Sequence, residues 1–361
     1  MDREALRMVR SPEFWRMAVL WTLFLLYSYL LLFLRGRTAV PRRRRPGPCA
    51  GGEGEGEGRR PICVVTGVRT RRHRGWARRR RRRWRGRATT SSSTVQEIRR
   101  QQPDAHLEAF HVDLASYKSI KKFGTLLKQW IQETNSVPDI QLLVNNAGML
   151  AKSHRITEDG FDEMIQTNYI GPFILTSILL PLLKNSPVPS RVVNLTSFTH
   201  RCVSGIDVSE DALRGMKLGQ CSVGKSYPLA STYEYTKLCL LLFSYELHRQ
   251  LHTSSVSVMA ADPGVVETNI MRELPPCLSW FAFFVLRFLN LLQQTDSGVG
   301  AVLDAALAPP GASGKYFFGG KGRTIRPSGL SYDVEVAKKL WAESSMLFKE
   351  LQLRGRDLGT N

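Results

Sequence analysis

Gln141–Gly148 reads QLLVNNAG. A short apolar run without polar alternation is the pattern of a strand buried on both faces. It closes on two amides and a glycine, groups that suit the rim of a cleft better than a core. The same pattern recurs on either side. Upstream, Pro61–Gly67 reads PICVVTG, and Leu107–Leu114 reads LEAFHVDL and closes on an acid. Downstream, Arg191–Thr196 is another such strand. Between them, Thr94–Gln102 is a polar helical stretch. Ser116–Thr134 sets Ile120, Phe123, Leu127, Trp130 and Ile131 on one helical face. Strands and helices alternating at this spacing predict an α/β fold, a Rossmann-type doubly wound parallel sheet.

Charge is distributed unevenly around this core. The chain has 361 residues and a formal net charge of +20. Residues 35–100 hold 22 of the 51 basic residues and only 4 of the 31 acidic ones. The remainder is nearly neutral, which excludes a basic globular nucleic-acid binder. An apolar fraction of 43% supports a real core. The six cysteines are scattered with no Cys-x-x-Cys, so neither a disulfide framework nor a metal site is expected.

Residues 1–37 read as a membrane anchor. Met17–Leu34 carries no charge over 18 residues, about the minimum that crosses a hydrocarbon core of roughly 30 Å. Trp15, Trp21, Tyr27 and Tyr29 suit the interfaces. Arg35, Arg37 and Arg42–Arg45 make the following side the more positive. The expectation is a single-pass N-terminal transmembrane helix, of endoplasmic-reticulum type, with the catalytic part in the cytosol. Residues 38–60 are a low-complexity linker ending in GGEGEGEG. Residues 61–361 form the Rossmann domain.

One stretch breaks the pattern. A phosphate turn after Thr66 and Gly67 needs glycines at a helix N-terminus. Residues 68–93 instead include six consecutive arginines, Arg78–Arg83, which repel one another on any helix face. The codons can be read in the frame that joins each third base to the next two bases. That frame permits Ser-Gly-Leu-Gly, then an alanine-rich helix, then His-Val-Val-Leu. This is the turn, helix and second strand that the fold requires, so residues 68–93 are read as frame-shifted or aberrant.

The chemistry gathers downstream. Tyr233 and Lys237 are four residues apart, on one face of a helix. An ammonium beside a phenol favours its ionised form and suits it to proton transfer. Thr66-Gly67, Asp113, NNAG at 145–148, Asn168, Ser197, Tyr233-x-x-x-Lys237 and Pro263-Gly264 occur in that order. On this set the chain resembles the short-chain dehydrogenase/reductase superfamily. Its membrane-anchored branch of retinol dehydrogenases and WW-domain oxidoreductase-like proteins is the most similar.

The resemblance implies an NAD(P)-dependent oxidoreductase. Tyr233 would be the acid/base, and Lys237 would assist it and hold the nicotinamide ribose. Ser197 would bind the substrate oxygen and Asn168 a relay water. Thr66 and Gly67 would begin the phosphate turn. Asp113 and Leu114 would lie at the adenine. Asn145, Ala147 and Gly148 would line the cleft, and Pro263, Gly264 and Thr268 would sit by the nicotinamide. NADP is the cofactor implied, with NAD the other candidate, and a homodimer is left open. Leu274–Leu292 falls where the superfamily has its substrate lid. It is apolar, with only Arg287 charged. It reads as a lipid-facing entrance lined by Trp280, Phe281, Phe283, Phe284 and Phe288, for a lipophilic alcohol or carbonyl such as a retinoid, steroid or isoprenoid. The alternatives are an ordinary core helix and, for the whole chain, a non-catalytic scaffold without an intact cofactor loop. Ser331–Leu351 closes the domain as an amphipathic helix.

The frame reading makes a direct prediction. A transcript sequenced across codons 60–95 should carry the glycine- and alanine-coding frame. An unbroken frame encoding the arginines overturns it.

Overall fold

Seven parallel strands make the central sheet, in the order β3-β2-β1-β4-β5-β6-β9. The computed structural model describes residues 8–35, 61–67, 87–89, 98–100, 106–134, 139–216 and 227–357, with a few single positions between them. The strands are β1 (Ile62–Val65), β2 (Arg87–Thr89), β3 (Leu107–Glu108), β4 (Leu142–Asn145), β5 (Ser190–Leu195), β6 (Val256–Asp262) and β9 (Tyr316–Phe318). A separate parallel pair joins β7 (Val265–Val266) to β8 (Leu292–Gln293). The helices are α1 (Pro12–Arg35), α2 (Tyr117–Thr134), α3 (Glu163–Lys184), α4 (Glu210–Arg214), α5 (Leu229–Gln250), α6 (Pro276–Phe288), α7 (Thr295–Ala306) and α8 (Val334–Asp357).

Strand alternation sorts side chains between two cores. Val64, Leu143, Val192 and Val258 are in register across four strands. They face a core shared with α2, α3, α5 and α8, where Ile120, Phe173, Leu240 and Leu340 are fully or almost fully buried. Their neighbours Cys63, Leu142, Val144, Val193 and Met259 face the other way, against Val302, Ala305 and Ala306 of α7. Both faces of the sheet are therefore covered, as an all-parallel sheet requires.

A buried polar chain ties the layers together. The Asn145 amide nitrogen donates to Thr176 Oγ1 at 2.9 Å and to Asn194 Oδ1 at 2.8 Å. Asn194 in turn donates to Ser244 Oγ at 2.8 Å. The chain links β4, β5, α3 and α5.

The structure sharpens several expectations. The third strand stops at Glu108 rather than at Leu114. The residues after it leave the sheet to start α2, where the Asp113 carboxylate accepts from Ala115 N at 3.0 Å. The apolar stretch after residue 274 is not a core helix: α6 has no buried residue. Of residues 68–93, only Arg87–Thr89 is described, and it fills the sheet position beside β1. The arginine run and the frame reading lie outside the described residues, as do Cys49 and Cys221.

Gly171 of α3 passes the backbone after β3 so closely that a Cβ would lie 2.5 Å from the Leu114 carbonyl oxygen. Propensity alone would make Gly171→Ala stabilising by about 1 kcal/mol. The contact reverses that sign, and the variant should lose about 1–3 kcal/mol in equilibrium urea unfolding.

Candidate active site

The sheet order reverses direction at β1 and β4. In an open α/β sheet the strand ends at such a switch point frame the ligand crevice. Thr66 and Gly67 follow β1, and Asn146 to Gly148 follow β4. Thr66 Oγ1 accepts from the backbone nitrogens of Asn146 and Ala147, each at 3.1 Å. The Asn146 side chain donates back to the Thr66 carbonyl at 2.7 Å. Gly67 has φ +78° and sits so close that a Cβ would lie 2.6 Å from Ala147 Cα. The two loops are thus clasped edge to edge.

The residues singled out for chemistry converge beside this clasp. The Lys237 ammonium is 4% exposed and donates to the Leu195 carbonyl at 3.0 Å. A Cβ on Gly148 would come 3.5 Å from Lys237 Nζ and 3.6 Å from Asn168 Oδ1. Gly148 therefore leaves open the space between these groups. Ser197 follows β5, and its hydroxyl is near enough to the Tyr233 phenol to oppose the rise that burial imposes on it. Its Oγ also accepts from Thr199 N at 3.4 Å, capping the short turn Phe198–Cys202. Thr196 Oγ1 donates to the Lys237 carbonyl at 3.0 Å and fixes β5 against α5.

Asn168 lies in a π-helical turn, Gln166–Ile170, within α3. Its amide accepts from Met149 N at 2.8 Å and donates to Met149 O at 2.9 Å and Thr236 Oγ1 at 3.2 Å. The amide expected to hold a relay water thus clamps the loop after β4. Asn145, expected at the cofactor edge, has its amide nitrogen committed to the brace between strands. Its Oδ1 is buried without a hydrogen-bond partner. Asp113 is exposed just before the turn that leads into α2, whereas Leu114 is buried in the core. Pro263 and Gly264 follow β6, and Thr268 is half-buried beyond them.

The electrostatics differ from the expectation in one respect. Burial, and then the charge of Asp262, push the Tyr233 phenol well above its ordinary value. The Lys237 ammonium lies over the Tyr233 ring, 5.4 Å from its centroid. Burial also lowers Lys237 to about 8, and Asp262 opposes that fall. Asp262 is fully buried at the end of β6 and is raised to about 6, chiefly by burial. Its two oxygens accept from Gly264 N at 2.8 Å and from the Tyr316 hydroxyl at 2.6 Å.

Sequence reasoning missed Asp262. The signal was an ionisable residue closing an otherwise apolar strand, VSVMAAD, immediately before Pro-Gly. His200 is a packing residue: it is buried, it accepts from Ser328 N at 3.1 Å, and burial lowers it to about 3. Tyr235 turns away from the site and donates to the Asp207 carbonyl at 2.9 Å. Among the described residues, no cluster of His, Cys, Asp or Glu could hold a metal.

Comparison with known proteins fits this architecture. The family model for short chain dehydrogenase matches residues 85–204. Human retinol dehydrogenase 13 is 36% identical over 259 residues, 71% of this chain and 72% of that protein. The polyprenol dehydrogenase of Danio rerio is 33% identical over 264 residues, 71% of this chain and 74% of that protein. A solved structure, an uncharacterised protein from Mycobacterium paratuberculosis, is 26% identical with a TM-score of 0.52. That alignment covers 80% of this chain and 93% of the other. Fold and relatives together define an oxidoreductase built on a nucleotide-binding α/β sheet. The chain belongs to the short-chain dehydrogenase/reductase family.

The site predicts its own titration. By NMR of labelled lysine, the Lys237 ammonium should lose its proton near pH 8. Asp262→Asn removes a negative charge that favours the ammonium, so the titration should move to lower pH. An unchanged or raised value overturns this reading of Asp262.

Proposed function

We propose that the protein interconverts a lipophilic alcohol and its carbonyl compound with a nicotinamide cofactor, NADP by preference and NAD as the other candidate. One observation carries this reading. The Tyr233 phenol, with the Ser197 hydroxyl near it and the Lys237 ammonium over its ring, lies in an apolar cluster with Met149, Leu150, Met164 and Leu274. A proton-transfer group set among apolar side chains suits a greasy substrate with one polar oxygen. The names of the relatives, retinol and polyprenol dehydrogenases, point the same way.

The described residues after β1, β4 and β6 fit the cofactor, while the turn that would hold its phosphates falls in residues 68–93, mostly outside the described residues. The clasped loops after β1 and β4 and the space left by Gly148 form a cradle that a side chain would fill. Thr66, Gly67, Ala147 and Gly148 would hold its centre, Pro263, Gly264 and Thr268 its nicotinamide end, and Asp113 and Leu114 its adenine end. When bound, the cofactor supplies or accepts the hydride.

The protein's own part is positioning and proton transfer. Ser197 Oγ and the Tyr233 hydroxyl together receive the substrate oxygen. Burial keeps Tyr233 neutral, so its O–H is a donor ready to protonate an oxygen that gains charge during reduction. Lys237 is protonated below about pH 8 and supplies a positive field beside the ring. Asn168 holds Met149, a member of the same cluster, in place.

The test uses the full chain in detergent, with retinaldehyde and a polyprenal as substrates. Oxidation of NADPH should follow substrate addition. Tyr233→Phe should lower kcat by about 10²-fold or more, with NADPH affinity little changed. Failure to bind NADPH would favour the scaffold reading. Turnover unaffected by Tyr233→Phe would remove Tyr233 from the chemistry.

A further inference from the structure

We propose that α1 does not cross a bilayer. It lies in the plane of the membrane surface, docked on the catalytic domain, and with α6 forms one lipid-facing wall over the mouth of the active site. This deepens the reading of the site as one for lipophilic substrates, and rests on it for the identity of what enters.

The contacts of α1 run along its whole length. Arg16 pairs with Glu234 at 3.1 Å, and Trp21 Nε1 donates to the same carboxylate at 2.6 Å. Glu234 is 2% exposed and directly follows Tyr233. The Trp21 ring lies 5.7 Å from the Tyr233 ring. Further along, Ser28 is fully buried and accepts from Arg201 Nε at 3.2 Å. Tyr29 accepts from Gln293 Nε2 at 2.6 Å. Two glycines of the catalytic domain make room for the helix. A Cβ on Gly264 would lie 3.3 Å from the Tyr29 hydroxyl, and one on Gly319 would lie 2.6 Å from Leu32 Cδ2.

From Arg16 to Leu32 this is about 24 Å of helix at 1.5 Å per residue, most of what a span of roughly 30 Å would need. The same residues cannot be threaded through hydrocarbon and held against the domain. Pulling them away would leave the Glu234 carboxylate and the Arg201 guanidinium, both nearly buried, short of partners.

The opposite face of α1 is a continuous stripe of Trp15, Val19, Leu23, Leu26, Leu30 and Phe33, between 45% and 81% exposed. Beside it, α6 exposes Trp280, Phe281, Phe284 and Phe288. The two helices belong to one surface, because Leu286 of α6 packs in the cluster that holds Leu25, Leu31 and Leu32 of α1. Protein interfaces of this extent carry regularly spaced hydrogen bonds. The α1 stripe has almost none to offer, which is the pattern hydrocarbon accepts. Arginines flank the helix in sequence, at 3, 7 and 10 before it, at its last position, 35, and at 37 and 42–45 after it, and these suit anionic headgroups. The occupant is therefore a lipid surface. Substrate reaches Tyr233 from the bilayer, passing Trp21 and Leu274, which share a cluster with Tyr233.

Neither arm of the test requires turnover, so each stands apart from the fate of the proposed reaction. Glycosylation acceptors are placed at both termini of the full chain, which is translated into microsomes. Both tags should report the same side of the membrane. Tags on opposite sides establish a span and overturn the proposal. In the second arm, the purified chain floats with vesicles of phosphatidylcholine and phosphatidylserine. The variant carrying Leu23→Ser, Leu30→Ser, Phe284→Ser and Phe288→Ser should float at least fivefold less, with an unchanged melting temperature. Unchanged flotation overturns the proposal. So does a wild-type dimer that this variant converts to a monomer, because the surface would then belong to a second copy.

Discussion

An ammonium group taken out of water costs several kilocalories unless the protein replaces what water gave it, and the candidate site is organised around one. Lys237 sits at the C-terminal ends of parallel strands with almost no solvent contact. The Leu195 carbonyl takes one of its protons, the face of Tyr233 takes its charge on one side, and the Asp262 carboxylate favours it at longer range. Each partner is itself fixed. Leu195 ends β5, Tyr233 lies one turn back on α5, and Asp262 ends β6 with both oxygens occupied. Three elements are thereby locked to one another at the point where a substrate oxygen would sit.

The brace behind the site serves the same end. Asn145 joins β4 to β5 and α3, and Asn194 carries the connection on to Ser244 of α5. Such a chain is stabilising only when its members are paired, since a stranded buried amide costs more than an apolar substitute. It holds strands β4 and β5 level, which keeps the Thr66–Ala147 clasp and the Ser197 hydroxyl in one plane of approach.

Much of this was legible in the sequence because buried parallel strands leave a coarse mark. QLLVNNAG, PICVVTG and RVVNLT are apolar runs whose ends carry polar groups, and all three became central strands. The pairing of Tyr233 with Lys237 followed from helical spacing. Other features left no periodic trace. Asp262 acts through space from a neighbouring strand, and nothing in VSVMAAD indicates what its carboxylate faces. The Tyr233 phenol was expected to be lowered by Lys237, but burial and the charge of Asp262 raise it, and helical spacing carries no mark of either. Met17–Leu34 was least legible. A helix that is apolar all round has no polar stripe to mark which side meets protein, so its two faces became distinct only once Glu234, Arg201 and the glycines of the domain were in place.

The π-helical turn at Gln166–Ile170 has a consequence for how this site tolerates changes in chain length. One extra residue in a helical turn advances everything on one side of it by about 100° relative to the other. The half of α3 that is capped by Asp162 and carries Met164 and Ile165 is therefore out of phase with the half that buries Phe173, Ile174 and Thr176. Asn168 faces Met149 only because it occupies the seam. Removing any one residue of the seam would heal the helix into regular geometry and improve its hydrogen bonding. It would also swing either the Asn168 clamp or the Thr176 end of the brace out of alignment. The local irregularity acts as a spacer that lets one helix satisfy two geometries, and its length is as constrained as the identity of any side chain it carries.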